Sequence, residues 1–275
     1  MIEETIRQRK SIRSYRKQPL SEADQEYVNE LISNIRSASI FTAPLKITYL
    51  QAKTGSDEQK LGTYGVIRNA PAFLGITVRN TDNAMETVGY QFEKIVLALT
   101  EKGIGTCWLA GTFRREQFAN ALELKEDELF PIVCPIGYPS DKKTFINSAF
   151  RTLSKSDQRK PWSELFFKDD FQHPLSQQDA AAYAFPLEML RLAPSAANGQ
   201  PWRIVLQNDR FHFYRLGSNK ADHPYDLQAL DTGIAACHFE LAANERKLPG
   251  HFEKLSEPDI RKPDNSKYLF TWICD

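Results

Sequence analysis

Two short stretches of this 275-residue chain combine residue types that could bind a ligand. The first, RKSIR at 9 to 13, places two arginines, a lysine and a hydroxyl within five residues. That combination suits a phosphate, because guanidinium groups form bidentate hydrogen bonds, an ammonium adds charge and a hydroxyl donates. A solvated basic face at a helix end would give the same letters, and from this stretch alone it is the commoner explanation.

The second stretch, APSAANGQPW at 193 to 202, is predicted to leave a helix, turn through Asn198 and Gly199, and enter a strand. A tight helix-to-strand connection accounts for its prolines and its glycine. It does not account for the small residues at 195 to 197 beside an amide. Such a composition suits a surface that meets a flat ligand.

A third stretch, GIGTCWLAGTF at 103 to 113, follows a predicted helix and holds three glycines. Gly103 is placed as a helix C-cap. Gly105 and Gly111 are expected to let a ligand approach the backbone. The stretch has neither a GxGxxG nor a Walker pattern, so as a phosphate loop it is a weak signal.

Composition excludes several function classes. The chain has 35 basic and 35 acidic residues, which argues against nucleic acid or an anionic membrane as partner and requires any basic site to be local. The charged start and the short apolar runs predict a protein without signal peptide, anchor or membrane span. Four scattered cysteines without a CxxC predict free, buried thiols and a cytoplasmic location. Five histidines without metal-ligand spacing predict no metal site.

The chain aligns with itself in three segments that follow in the same order. These are 19 to 36 over 174 to 191, 43 to 50 over 200 to 207, and 89 to 105 over 233 to 249. The first pair shares an S-x-x-D spacing, Ser21 with Asp24 and Ser176 with Asp179, which predicts a helix start in both copies. We interpret the pattern as an internal duplication with halves at 1–170 and 171–275, packed as one unit.

The chemistry-bearing stretches are not duplicated. Where the first half has RKSIR, the second has ELFFK at 164 to 168, without arginine or serine. Where the second half has APSAANGQPW, the first has SASIFTAPLK at 37 to 46, without the asparagine and the tryptophan. The two halves have therefore retained complementary parts.

Periodicity and turn residues predict interleaved helices and strands, and hence a layered α+β unit with helices packed on a sheet. A polar, then aromatic segment at 151 to 173 bridges the two halves. Helices are predicted at 2–9, 22–36, 84–102, 114–121, 177–191 and 227–247, and strands at 43–50, 72–79, 131–138, 200–207, 210–215 and 268–274.

The motifs resemble the FMN-dependent nitroreductase family, and most of all its fused branch, in which one chain holds two halves and imitates the usual homodimer. The resemblance covers essentially the whole chain and is carried by RKSIRSY, GIGTCW, IGYP, RKPWSELFF and above all APSAANGQPW. It implies an α+β fold with a sheet flanked by helices in three layers. It also implies one composite FMN site between the halves, in a monomer that acts as a pseudo-dimer.

The resemblance further implies which residues hold the flavin. No side chain is assigned a catalytic role, because the chemistry takes place at flavin N5, near the backbone of Ala110 and Gly111. The cofactor-binding residues it implies are Arg9, Lys10, Ser11, Arg13 and Arg159 from the first half, and Pro194, Ser195, Asn198 and Gln200 from the second.

The activity implied is that of an NAD(P)H oxidoreductase. NADH or NADPH passes hydride to the flavin, which then reduces a small nitroaromatic or quinone-like acceptor in the same cleft. Two other readings stay open. One is a flavin-binding or sensing module with little turnover, and the other is a structural remnant without a ligand.

Overall fold

Two separate β-sheets are present in the parts of the chain that the computed structural model describes, residues 1–36, 39–52, 61–140, 158–217 and 224–275. The first contains β1 (Leu45–Gln51), β2 (Ala72–Arg79), β3 (Gly105–Thr106) and β4 (Glu128–Gly137) in the order β1-β2-β4-β3. The second contains β5 (Phe166–Lys168), β6 (Trp202–Gln207), β7 (Arg210–Leu216), β8 (Gly250–Glu253) and β9 (Ser266–Cys274) in the order β5-β6-β7-β9-β8.

Two long helices join the sheets into one core. The helices are α1 (Ile2–Gln8), α2 (Glu22–Ser33), α3 (Ala84–Glu101), α4 (Arg115–Leu122), α5 (Trp162–Leu165), α6 (Ala184–Arg191) and α7 (Leu227–Glu245). Helix α3 packs on β2 of the first sheet, α7 packs on β6 and β7 of the second, and the two helices pack on each other. One large apolar cluster therefore runs through both halves. None of the described helices is long and apolar enough to cross a bilayer.

Four strands of the second sheet repeat the arrangement of the first. The order β6-β7-β9-β8 matches β1-β2-β4-β3, and all three neighbouring pairs are antiparallel in each sheet. A long helix also follows the second of these four strands in each half: α3 lies between β2 and β3 in sequence, and α7 lies between β7 and β8. Strand β5 is an addition: it pairs parallel with β6, although it precedes the predicted boundary at residue 170.

The crossing of α3 and α7 has a glycine on each side. A Cβ on Gly89 would lie 2.0 Å from the carbonyl oxygen of Leu230, and a Cβ on Gly233 would lie 2.2 Å from that of Glu86. The contacts are reciprocal, since each glycine faces the residue three positions before the other. Backbones can approach this closely only where no side chain intervenes. Gly89 and Gly233 also lie opposite each other in the self-alignment.

Most predicted elements occur within a few residues of their expected bounds, with one clear exception. The helix predicted at 177–191 begins only at Ala184, after a 3₁₀ turn at Ala181–Tyr183. Ala181 has a φ of 49°, which interrupts a helix. The hydroxyl of Ser176 does accept a hydrogen bond from the Asp179 N–H, at 3.0 Å, but it caps a turn. Positions 37–38 and 151–157 of the stretches discussed above lie outside the described residues.

Candidate functional site

A cavity of about 560 Å³ lies where the two halves meet. This volume is in the range of small-molecule and cofactor sites. Its walls come from the N-terminal segment, the loop after β3, the turn before β6 and one face of α7. The lining residues are Arg9, Ser11, Arg13, Val66, Trp108, Leu109, Ala110, Gly111, Thr112, Ile132, Arg159, Pro194, Ser195, Ala196, Ala197, Asn198, Leu227, Leu230, Asp231 and Ile234.

The cavity brings together stretches that are about 180 residues apart in sequence. Nine of the eleven residues predicted for the cofactor line it. The two exceptions are Lys10, which is exposed, and Gln200, which is buried behind the turn at 2% exposure. Three arginines and one carboxyl are the charged groups among the lining residues, so the site is locally basic in a chain of zero net charge.

The basic stretch does not form a solvated helix end. After α1 the chain runs extended, and the Ile12 N–H donates to the carbonyl oxygen of Thr106 at 2.8 Å, beside β3. Gly105 makes this approach possible, because a Cβ there would lie 2.8 Å from the Ile12 side chain. The expectation that Gly105 admits a ligand is therefore wrong, since the glycine admits Ile12. Gly103 ends α3 as predicted, although it follows the C-cap residue Lys102 and is left-handed with a φ of 72°.

Arg9 is a buried cation that faces the cavity with unused hydrogen-bonding capacity. Its side chain is 9% exposed, and its Nε has no hydrogen-bond partner among the described residues. Burial lowers the pKa of Arg9, and the nearby charge of Glu93 opposes that shift. The guanidinium remains cationic, because arginine does not lose its proton in proteins. A buried cation in the cavity wall can bind an anionic group that enters the cavity.

The carboxyl of Glu93 on α3 lies behind this cation and is fully buried. Its Oε1 is 3.9 Å from Nε of Arg9, and its Oε2 accepts a hydrogen bond from Nε1 of Trp108 at 2.9 Å. Oε1 also lies 3.0 Å from Nε2 of His238 on α7. Glu93 thus holds two cavity-lining residues of the first half and one residue of the second.

The turn between α6 and β6 is held in a strained conformation. Ala197, Asn198 and Gln200 have φ values of 49°, 55° and 47°, in the left-handed region that disfavours side chains with a Cβ. Gly199, expected to supply this freedom, is right-handed at −66°. Strain of this kind persists where surrounding contacts enforce it, and it clusters at functional sites.

Hydrogen bonds supply that enforcement. The hydroxyl of Ser195 accepts from the Gln200 N–H at 2.9 Å, and the Gln200 carbonyl side-chain oxygen accepts from the Lys160 N–H at 2.8 Å. Nη1 of Arg159 donates to Oδ1 of Asn198 at 3.4 Å. Gln200 therefore fixes the turn against the segment that carries Arg159.

The strain at residue 197 predicts a stabilising substitution. Ala197→Gly should raise the free energy of unfolding by about 0.5–1 kcal/mol, because relief of the left-handed alanine exceeds the added entropy of an unfolded glycine. In a chain of this length that gain raises the Tm by roughly 2 °C. Ala196→Gly is the matched control, since Ala196 is not left-handed and should lose stability. The prediction would be contradicted if thermal melts showed that the Tm of both variants falls by the same amount.

The loop at Ala110 and Gly111 is fixed from behind by Arg115 at the start of α4. Nη2 of Arg115 donates to the carbonyl oxygen of Ala110 at 3.1 Å, and its guanidinium lies 5.1 Å from the ring centre of Tyr225 in the second half. The loop therefore presents its backbone to the cavity with its carbonyl turned toward Arg115. Gly111 has open space around its Cβ position, which is consistent with a ligand-facing backbone.

Asp231 was not predicted from the sequence. It lies on α7 with Leu227, Leu230 and Ile234, a helical face on which it is the polar member. Its Oδ2 accepts from the Ala196 N–H at 3.0 Å, and burial raises the pKa of this carboxyl well above its ordinary value. The signal that could have revealed it is one acid on an otherwise apolar helix face. Such a carboxyl is held in its neutral form more readily than a solvated one.

The position that the self-alignment makes equivalent to the cavity is filled by aromatic rings. The self-alignment places Phe41 opposite Ala197 and Tyr90 opposite Ile234, and the offset of its last segment, continued for three residues, places Phe252 opposite Trp108. All three rings are at most 1% exposed. Phe41 stacks on Tyr90 with centroids 4.1 Å apart, and Phe252 meets Phe41 edge-on at 5.5 Å. One of the two equivalent positions is therefore a cavity, and the other is filled by the side chains of Phe41, Tyr90 and Phe252.

Three of the four cysteines are buried, as predicted, although Cys107 lies beside Ser11, Arg9 and Arg13 of the basic stretch. Cys107, Cys134 and Cys237 are buried free thiols, and Cys274 is partly exposed. Burial raises the pKa of Cys107, so its thiol is not activated as a nucleophile.

Comparison with known proteins gives one family. The family model described as "Putative TM nitroreductase" matches residues 1–243. A crystal structure of a "putative nitroreductase" from Thermotoga maritima MSB8 has the same fold, at 20% identity and a TM-score of 0.60, over 99% of this chain and 93% of that one.

Two other solved nitroreductases each match about half of the chain. A nitroreductase family protein from Clostridium novyi NT matches 54% of this chain and 90% of its own, at 19% identity and a TM-score of 0.41. A nitroreductase with bound FMN from Bacteroides fragilis NCTC 9343 matches 52% and 91%, at 19% identity and a TM-score of 0.41. No curated protein matches the sequence.

Proposed function

Because this chain belongs to that nitroreductase family, we propose that it is an FMN-dependent NAD(P)H oxidoreductase with one composite flavin site per chain. The observation that supports this most is the cavity in which the basic stretch of the first half meets the strained turn of the second. The cavity has a basic, hydrogen-bond-donating part and apolar walls, as a flavin phosphate and ring require.

The residues present fit FMN. Arg9 offers a buried guanidinium in the wall of the cavity, which suits a phosphate oxygen. Ser11, Arg13 and Arg159 share the cavity with it, while exposed Lys10 adds charge from outside. Pro194, Ser195 and Asn198 form the wall contributed by the second half, and Gln200 fixes that wall.

When bound, FMN would supply hydride chemistry, taking hydride from NADH or NADPH and delivering it to a nitroaromatic or quinone-like acceptor. The chain's own residues would position the flavin and the acceptor and supply the electrostatic field around them. The backbone at Ala110 and Gly111 lines the cavity and would face the reactive edge of the ring, with Arg115 holding the loop. The arginines would stabilise negative charge on the ring or phosphate of a bound flavin.

Asp231 would orient the acceptor and hold a proton for it. Its Oδ2 is engaged by the Ala196 N–H, and the side chain borders the cavity. With burial favouring the neutral carboxyl, the proton resides on the other oxygen, Oδ1, where it can be donated to a carbonyl or nitro oxygen. The acceptor needs a proton for each hydride it receives.

The site count follows from the asymmetry of the two halves. The position equivalent to the cavity is packed with Phe41, Tyr90 and Phe252, which leaves no room there for a second flavin. The matching strand orders support a duplication with halves near 1–170 and 171–275, so that the interface of a dimer lies within one chain. Because the halves are tethered, the site forms independently of protein concentration, and a monomer can function.

Titration with FMN tests the proposal. We expect saturation at one FMN per chain, followed by anaerobic bleaching of the flavin with NADH or NADPH and reoxidation by a quinone. A protein that binds no flavin at any ratio would refute the function. Two flavins per chain would refute the composite site alone, and binding without turnover would favour the sensing module.

A further inference from the structure

The buried cluster around Glu93 contains a hydrogen-bonding conflict that one extra proton resolves. Nδ1 of His238 lies 3.1 Å from the carbonyl oxygen of Met189, and a carbonyl can only accept, so Nδ1 carries a hydrogen. Nε2 of the same ring lies 3.0 Å from Oε1 of Glu93. In a neutral imidazole Nε2 would then present a lone pair to a carboxylate oxygen. One proton must therefore lie between His238 and Glu93.

The surroundings place that proton on the histidine. Nε1 of Trp108 donates to Oε2 of Glu93 at 2.9 Å, and the guanidinium of Arg9 lies 3.9 Å from Oε1. Both a hydrogen-bond donor and a cation stabilise the charged carboxylate. With Glu93 anionic, the ring of His238 is an imidazolium that donates from both nitrogens.

The other titratable groups that face the cluster do not change this balance. They are the thiols of Cys107, Cys134 and Cys237, on or beside the elements packed around Glu93. Burial raises the pKa of all three, so they stay neutral. The cluster then consists of Arg9⁺, Glu93⁻ and His238⁺, with a net charge of plus one.

We propose that His238, on the second half, is a positioning residue for the cofactor: its proton neutralises Glu93 and so leaves the charge of Arg9 available to the FMN phosphate. The inference rests on the proposed function, because it takes FMN as the ligand of Arg9. Without the imidazolium, Glu93 would pair with Arg9 and the cluster would have no net charge. The second half thus sets the phosphate affinity of a cation on the first.

Charge counting gives three distinct expectations for substitutions. His238→Gln keeps a donor to Glu93 but removes the positive charge, so FMN affinity should fall on the order of tenfold. Glu93→Gln lets a neutral His238 accept from the new amide, so the net charge stays at plus one and affinity should change less than about threefold. The double variant that combines Glu93→Gln with His238→Gln again has a net charge of plus one. It should regain most of the FMN affinity that His238→Gln loses.

The experiment measures dissociation constants of FMN and riboflavin for the full-length chain and these variants. Riboflavin lacks the phosphate, so its affinity should follow none of the charge changes. His212→Gln is the matched control, because His212 is also buried and bonded, to Thr271 at 2.8 Å, in the second sheet. Thermal melts establish that each variant is folded.

The outcomes are separable. A wild-type chain that binds no FMN refutes the proposed function itself. If wild type binds FMN but His238→Gln binds equally well, the positioning role is refuted. If the double variant binds no better than His238→Gln, the effect is structural damage and the charge argument is refuted. Should a variant fail to fold, ¹⁵N chemical shifts of the wild-type ring decide, since a neutral His238 would overturn the proposal.

Discussion

Gly89→Ala is expected to cost about 3 kcal/mol of folding stability or more, near or above the upper end for an overpacked core. The new Cβ would lie 2.0 Å from the carbonyl oxygen of Leu230 and 2.9 Å from the backbone nitrogen of Ile234. Both contacts are with backbone, which cannot rotate away, so α3 and α7 must move apart. In a chain of this length the loss corresponds to a fall in Tm of roughly 10 °C.

The same displacement should disable the cavity. Leu230 and Ile234 line it, and a shift of α7 moves both of them together with Asp231. FMN affinity should therefore fall along with the Tm. Gly233→Ala, which meets the carbonyl oxygen of Glu86 at 2.2 Å, should behave in the same way because the crossing is reciprocal.

Gly103→Ala, just beyond the C-terminal end of the same helix, provides the matched control. Gly103 has a φ of 72° with nothing near its Cβ position, so alanine there meets strain without a clash. It should cost about 1 kcal/mol and leave FMN binding intact. Thermal melts and flavin titrations of the three variants check the prediction. A Gly89→Ala melt within 1 °C of wild type would show that the helix crossing is not as close as described.

The elements that sequence could predict are those with long periodic patterns. β2 has seven consecutive buried residues, nearly all of them apolar, before the exposed Arg79, and most residues of α3 and α7 are buried. β3 and β8, with two and four residues, are too short for a period to be visible. The helix predicted from Ser176 failed because a capping motif also closes an isolated turn, and the left-handed Ala181 is fixed by its context.

The site could be predicted where its residues stand in a recognisable motif. Glu93, Arg115 and Asp231 were missed, since each is a charged helix residue that belongs to no motif, and most of its partners are distant in sequence. His238 lies 145 residues from Glu93, and only the crossing of α3 and α7 brings them together. The aromatic filling of the equivalent position is likewise a property of the fold, because Phe41, Tyr90 and Phe252 come from three separate elements.

Arg9→Met should weaken FMN binding by about 100-fold, which is equivalent to about 2.7 kcal/mol. The methionine preserves much of the apolar stem but removes the buried guanidinium, and hydrogen bonds to charged groups contribute roughly 1.5–3 kcal/mol. In the absence of flavin the loss of stability should be small. Glu93 retains its bonds to Trp108 and His238, so no buried charge is left without a partner.

The decisive measurement is the ratio of FMN to riboflavin affinity. If Arg9 binds the phosphate, the ratio collapses in Arg9→Met while riboflavin binding changes less than about threefold. Arg7→Met is the matched control: it removes an arginine two positions earlier that is 51% exposed and pairs with Glu3 on the surface. A uniform loss of both flavins in Arg9→Met, with the ratio unchanged, would mean that Arg9 only supports the cavity wall. The phosphate would then have to lie against Arg13 and Arg159, the other cations lining the cavity.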